Sequence, residues 1–132
     1  MAGLVVVDTD LVIDYLRGKG PGAAGIRRLI SERRLRLTAI TAFELRLGTD
    51  FHPRSRDIQA LLHRRTYPLT PAAALFGGEV AAELRAAGTP IGFADCLQAG
   101  VCLQYDLPFA TRNRKPFDRI DGLTILDPGS LA

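Results

Sequence analysis

The run GLVVVDTDLVIDYLRG, residues 3–18, decides the reading of this chain. Residues 3–7 form a continuous apolar stretch rich in valine, the pattern of a strand covered on both faces. It stops at Asp8. Leu11, Val12, Tyr15 and Leu16 then recur at helical spacing until Gly18. A buried strand therefore passes straight into an amphipathic helix through an acidic turn.

The same alternation continues outward. Pro21 opens a second helix, with Ile26, Leu29 and Ile30 on one face and Arg27, Arg28, Glu32, Arg33 and Arg34 on the other. Residues 35–40 read as a second strand and 41–47 as a short helix, with Thr41 and Glu44 in capping-box spacing. Polar turn residues cover 48–55, and a further helix follows up to Arg65. Tyr67 and Leu69 suggest a short strand before Thr70-Pro71 caps a helix. That helix runs to about Ala87, is weakened by Gly77-Gly78 and stops at Gly88. Residues 93–105 read as helix; 108–111 and 123–126 read as strands separated by a basic loop. Strands alternating with helices predict an α/β fold with a central parallel sheet, in a single domain over 1–132.

Composition agrees. A chain of 132 residues with 47% hydrophobic and 23% charged side chains is neither disordered nor fibrous. No apolar run approaches the ~20 residues needed to span a bilayer, so no membrane partner is expected. No basic segment precedes the short apolar N-terminal run, and a soluble cytoplasmic protein is expected. Seventeen basic and fourteen acidic side chains give a net charge of +3, compatible with nucleic acid without demonstrating it. Only Lys19 and Lys115 among the basic residues are lysine. That bias suits phosphate contacts, and codon usage in a GC-rich genome produces it equally well. Cys96 and Cys102 stand six residues apart on a predicted helix, about 9 Å in rise, beyond disulfide reach. With no histidine nearby they make a poor zinc pair and read as small buried residues.

Ligands of open parallel sheets bind at the carboxyl ends of the strands, which makes the residues just past each strand informative. Asp8 ends the first strand, with Asp10 two residues on. Glu44 lies a turn beyond the second strand, Asp95 starts the helix 93–105, and Asn113 follows the strand that ends at Thr111. Only the fold can gather acids so far apart in sequence. Clustered carboxylates repel one another, and Mg²⁺ or Mn²⁺ relieves that repulsion through oxygen ligands. Each acid also has an ordinary explanation: Glu44 in the capping box, Asp8 and Asp95 as helix caps or dipole partners. Asp14 reads as helix surface close enough to Asp10 to add charge. Glu79 and Glu83 read as a solvated face. His52 and His63 have no nucleophile at triad spacing, and no glycine-rich phosphate loop is present.

Four stretches together carry a family resemblance. Residues 5–18 resemble the opening of a PIN-domain ribonuclease of the VapC toxin type. Thr38-Ala-Ile-Thr-Ala-Phe-Glu44-Leu resembles that family's second acidic motif, Gly88-Thr-Pro-Ile-Gly-Phe-Ala-Asp95 its third, and Ala110-Thr-Arg-Asn113 followed by Phe117 its fourth. The resemblance spans nearly the whole chain. It implies a PIN-like three-layer sandwich and cleavage of RNA phosphodiester bonds with Mg²⁺ or Mn²⁺, leaving a 5′-phosphate and a 3′-hydroxyl. By matching position, Asp8, Glu44, Asp95 and Asn113 would be the catalytic set, with Asp8 and Asp95 as metal ligands. Thr9, Arg112 and Arg114 would contact substrate. Lys115 and Arg119 are further basic candidates near the site, with Arg27, Arg28, Arg33 and Arg34 extending the track or forming a solvated face. The resemblance also implies a cognate VapB-type antitoxin and a homodimer. Relatives often carry an acid immediately before the loop phenylalanine, where this chain has Pro116; Asp118 lies on its other side. At least one ion is expected.

Two other readings compete. One is a PIN-like domain without catalysis that only binds RNA or protein, for which Pro116 is the best support. The other is a receiver-like Mg²⁺-binding signalling module, which needs a phospho-acceptor Asp at the end of a middle strand; here the second strand runs into Thr41.

Overall fold

In the computed structural model, which describes residues 3–131, the triple valine becomes strand β1 (Val5–Val7), fully buried. Helix α1 (Thr9–Arg17) follows at once. It is capped by Asp8 and ended by Gly18 in the left-handed conformation (φ 71°), which glycine adopts without a Cβ penalty. Then come α2 (Pro21–Ser31), β2 (Leu35–Thr38), α3 (Ala39–Leu47), α4 (Phe51–Leu62), β3 (Thr66–Tyr67), α5 (Pro71–Ala86), α6 (Phe93–Tyr105), β4 (Phe109–Ala110) and β5 (Ile125–Leu126).

The five strands pair in parallel in the order β3-β2-β1-β4-β5. The chain builds outward from β1 to β3, then returns to place β4 on the other side of β1. The switch point therefore lies between β1 and β4, where the carboxyl ends open a crevice. Alternation along β1 makes the layers. Val5 and Val7 join a core with Leu11, Val12, Ile26, Leu29 and Ile58 from the α1, α2 and α4 side. Val6 faces Val80, Leu84, Cys96, Ala99 and Phe109 on the α5–α6 side. Each such buried valine or leucine contributes roughly 1.5–3 kcal/mol. This is the expected three-layer sandwich.

Three local expectations are corrected. Strand β2 stops at Thr38, not residue 40, because Thr38 itself caps α3: its Oγ1 accepts the Thr41 backbone N–H at 3.2 Å. The Thr41–Glu44 capping box therefore does not form. The stretch taken as turn at 48–55 already enters helix at Phe51, with a break at Arg54 (φ −124°, ψ 21°) where Pro53 limits the first turn. Asp14, expected on the surface, is 8% exposed. It accepts the Gly22 backbone N–H at 3.1 Å and the Arg112 guanidinium at 2.8 Å.

Of the paired glycines of α5, Gly77 has a packing role, shared with Gly100 of α6. A Cβ on Gly77 would stand 2.9 Å from the Cys96 carbonyl oxygen, and one on Gly100 only 2.2 Å from that of Ala73. These two glycines let α5 and α6 cross with their backbones almost touching. Past β4, Phe117 is buried edge-on against Phe109, ring centroids 4.9 Å apart. That contact pins the loop carrying Asn113 against the sheet.

Candidate active site

The switch point gathers the acids. Asp8 sits at the end of β1 as the N-cap of α1. One carboxylate oxygen accepts the Thr9 backbone N–H (2.8 Å) and the other accepts the Thr111 hydroxyl (2.8 Å) from the end of β4. Thr111 in turn accepts the Asn113 backbone N–H at 3.1 Å, so one hydroxyl couples Asp8 to the loop across the crevice. Burial, with Asp10 adding to it, pushes the Asp8 carboxyl up to about 6 despite those bonds.

Glu44 arrives from α3. Freed from any capping box, it accepts the Thr9 hydroxyl at 2.6 Å. Behind that bond lies a buried polar chain. Thr9 and Thr41 hydroxyls are 2.9 Å apart, Gln98 Nε2 donates to Thr41 at 2.9 Å, and the Thr38 hydroxyl donates to Gln98 Oε1. A threonine hydroxyl has one proton to give. Because Thr9 gives its proton to Glu44, Thr41 must donate to Thr9, and Gln98 must supply Thr41. Every proton points one way, toward the carboxylate.

Asp95 occupies the first turn of α6, whose N-cap is Gly92. Among the described residues its carboxylate has no hydrogen bond or ion pair. Burial raises its pKa, and Glu44 and Asp10 raise it further. Asp10 is raised by burial against the opposing pull of Arg112, and its Oδ1 is buried without a partner. The carboxylates at 8, 10, 44 and 95 thus form one electrostatic neighbourhood, in which the charges of Asp8, Asp10 and Asp95 are disfavoured.

A divalent cation fits this donor set. Asp8, Glu44 and Asp95 meet no Lys or Arg among the described residues, and one acidic oxygen nearby is orphaned. No three Asp, Glu, His or Cys side chains among the described residues close around a single point. One or two carboxylates completed by waters and substrate oxygens is the coordination Mg²⁺ favours.

The other site candidates are placed as follows. Asn113 lines a cavity of about 440 Å³ together with Asp95, Lys115, Pro116 and Arg119. Thr9 is 8% exposed, its hydroxyl committed to Glu44. Arg112 bridges Asp10 (3.4 Å) and Asp14 (2.8 Å). Arg114 pairs with Asp118 and Asp127 at 3.3 and 3.1 Å. In the second basic cluster, Arg28 and Arg34 both pair with Glu32. The two cysteines are free and buried, and burial raises both thiols, which keeps them protonated. Thr38, Thr111 and Gln98 were not singled out from sequence. The readable signal for Gln98 was an amide within a mostly apolar helix, one turn after Asp95.

Comparison with known proteins follows the same line. The family model described as PIN domain matches residues 5–123. No curated protein matches the sequence. Solved structures do match: FitAcB from Neisseria gonorrhoeae is 27% identical with a TM-score of 0.80, covering 95% of this chain and 98% of that one. DNA-bound VapBC from Salmonella typhimurium is 27% identical with a TM-score of 0.77, covering 96% and 99%. VapBC-1 from nontypeable Haemophilus influenzae is 26% identical with a TM-score of 0.73, covering 95% and 98%.

Proposed function

The chain belongs to the PIN domain family, and on that premise we propose that it is a Mg²⁺- or Mn²⁺-dependent endoribonuclease toxin of the VapC type. A VapB-type antitoxin would neutralise it. The observation that carries this reading is the meeting of Asp8, Glu44 and Asp95, from three distant chain segments, at the β1–β4 switch point with no protein cation among them.

Asp8 and Asp95 would hold the ion, with Glu44 beside them. When bound, a divalent ion supplies a Lewis acid for the phosphodiester and lowers the pKa of a water. The chain's own part is positioning. Thr9 and Thr111 fix the orientation of Asp8. The polar chain behind Thr9 does the same for Glu44, so the carboxylates need no reorganisation when charge develops. Asn113 is held beside them through Thr111 and Phe117. The antitoxin partner is supported by the toxin–antitoxin complexes among the structural relatives. A homodimer is supported by an apolar face on which Phe43 and Leu69 stand exposed at a recess lined also by Ile40 and Leu97. No helix among the described residues is long and apolar enough to cross a membrane.

The test is RNA cleavage by purified, antitoxin-free protein with Mg²⁺, Mn²⁺ or EDTA. Metal-dependent cutting is expected; robust cutting in EDTA, or RNA binding with no cutting under any metal, rejects the proposal.

A further inference from the structure

We propose that the cavity beside Asp95 and Asn113 is a base-selective subsite for one nucleotide of the RNA strand next to the scissile phosphate. This rests on the nuclease reading of the adjoining acids.

Three observations carry it. The first is shape: about 440 Å³, lined by the apolar Leu84, Pro90, Ile91, Gly92 and Pro116 together with Asn113. That is at the small end of ligand pockets, typically ~300–1,000 Å³, and suits one flat nucleoside between apolar walls. RNA is read mainly as unpaired bases splayed into such slots. The second is charge. Arg112 and Arg114, flanking Asn113, are occupied by Asp10, Asp14, Asp118 and Asp127. Lys115 and Arg119 line the cavity and have no ion pair among the described residues. The cations left for a phosphate are therefore these two. They also favour RNA over a basic protein segment as occupant.

The third observation is the Thr89 hydroxyl. It belongs to a lining residue, is buried, and has no hydrogen-bond partner. A buried hydroxyl without a partner is unfavourable, and a ligand group that bonds it removes that cost. A base that satisfies it is selected over one that does not. Gly92 completes the slot: its φ of −65° suits any residue and a Cβ there meets nothing within 4 Å. The absent side chain leaves room that is not needed for backbone conformation.

The experiment is an NMR titration of metal-free, isotopically labelled protein with AMP, CMP, GMP and UMP, and separately with inorganic phosphate. Saturable amide shifts confined to 89–92 and 113–119 are expected, with one base bound about fivefold more tightly than the worst, the scale of one hydrogen bond. Thr89→Val should flatten that preference, and Gly92→Leu should abolish the shifts while the spectrum stays dispersed. If Gly92→Leu fails to fold, Thr89→Val decides the matter. No shifts at these residues, equal binding of all four bases, reproduction by phosphate alone, or a response only to an antitoxin peptide each overturns the subsite. Mapping cut sites on a random RNA pool separates the two readings. Binding here without any cutting rejects the nuclease alone, whereas cutting with no base preference that Thr89→Val alters rejects the subsite alone.

Discussion

Two acidic sets meet at the start of helix α1 barely a turn apart, and the fold treats them in opposite ways. Asp10 and Asp14 share Arg112, and Asp14 also takes a backbone N–H from Gly22. Asp8, at the cap of the same helix, meets only neutral donors, and its neighbours Glu44 and Asp95 lack any cation among the described residues. Asp14 is neutralised in this way and serves the packing of α1, α2 and the 111–113 loop, while Asp10, with one oxygen on Arg112 and the other buried without a partner, stands between the two sets. The second keeps its charge at the expense of stability, which a fold retains where positive charge is to come from outside.

Conservative substitution in the second set should break this contrast most visibly. Asp8→Asn and Asp95→Asn keep shape and remove charge. Each is expected to reduce RNA cleavage on the order of 10²-fold or more, the scale of losing a group that organises transition-state charge. Asp14→Asn should leave far more activity. Equal losses in all three would show that the two sets are not functionally distinct.

The sets should also differ in the sign of their effect on stability. The Asp8 carboxyl is raised from 3.8 to about 6 in the folded protein, so the native state binds the extra proton between those values. Its contribution therefore favours the fold at low pH and is lost as pH rises through about 6. The difference of 2.2 pH units corresponds to roughly 3 kcal/mol at most. Urea unfolding of wild type and Asp8→Asn from pH 4 to 7 should show the variant gaining relative stability as pH rises. Millimolar Mg²⁺ at pH 7 should raise the melting temperature of the wild type and not of Asp8→Asn, without any reference to cleavage. Asp14→Ala should do the reverse, costing about 2 kcal/mol by stranding a buried backbone N–H and a guanidinium. A stability loss in Asp8→Asn at neutral pH equal to that of Asp14→Ala would refute the contrast.

The same contrast explains what was legible in the sequence. Strand β1, the extents of α1 and α6, the Thr70-Pro71 cap and the acids past each strand are local signals: apolar runs, caps and residues at turn positions. The PIN motifs pointed to Asp8, Glu44, Asp95 and Asn113 by position. Hydrogen-bond allegiance was not local. Thr41 has the sequence context of a cap, yet Thr38 takes that role because the strand ends two residues earlier than the apolar pattern. Asp14 has the spacing of a surface position until α2 folds Gly22 onto it. The two carboxylates that α1 brings to Arg112 come from about a hundred residues away and leave no local trace. Gln98 gains meaning only from β2 and α3, contributed by another part of the chain.

The smallest expected effect sharpens how the uncompensated set is held. Thr9 donates directly to Glu44, whereas Thr41 acts one bond further back by filling a lone pair of Thr9. Thr9→Val removes the donor and leaves one face of a charged carboxylate without its bond, worth about tenfold in cleavage rate. Thr41→Val leaves that donor in place and loosens only its aim, so a two- to threefold drop is expected, within the ordinary strengthening along a hydrogen-bond chain. Thr9→Ser and Thr41→Ser keep the proton and should restore most of the rate. A purely structural role predicts a different pattern, in which both valine variants lose rate in proportion to melting temperature and serine rescues neither. If Thr41→Val proves as harmful as Thr9→Val at equal stability, the protons do not run toward Glu44 in the order their geometry dictates. The carboxylate would then be positioned by packing alone.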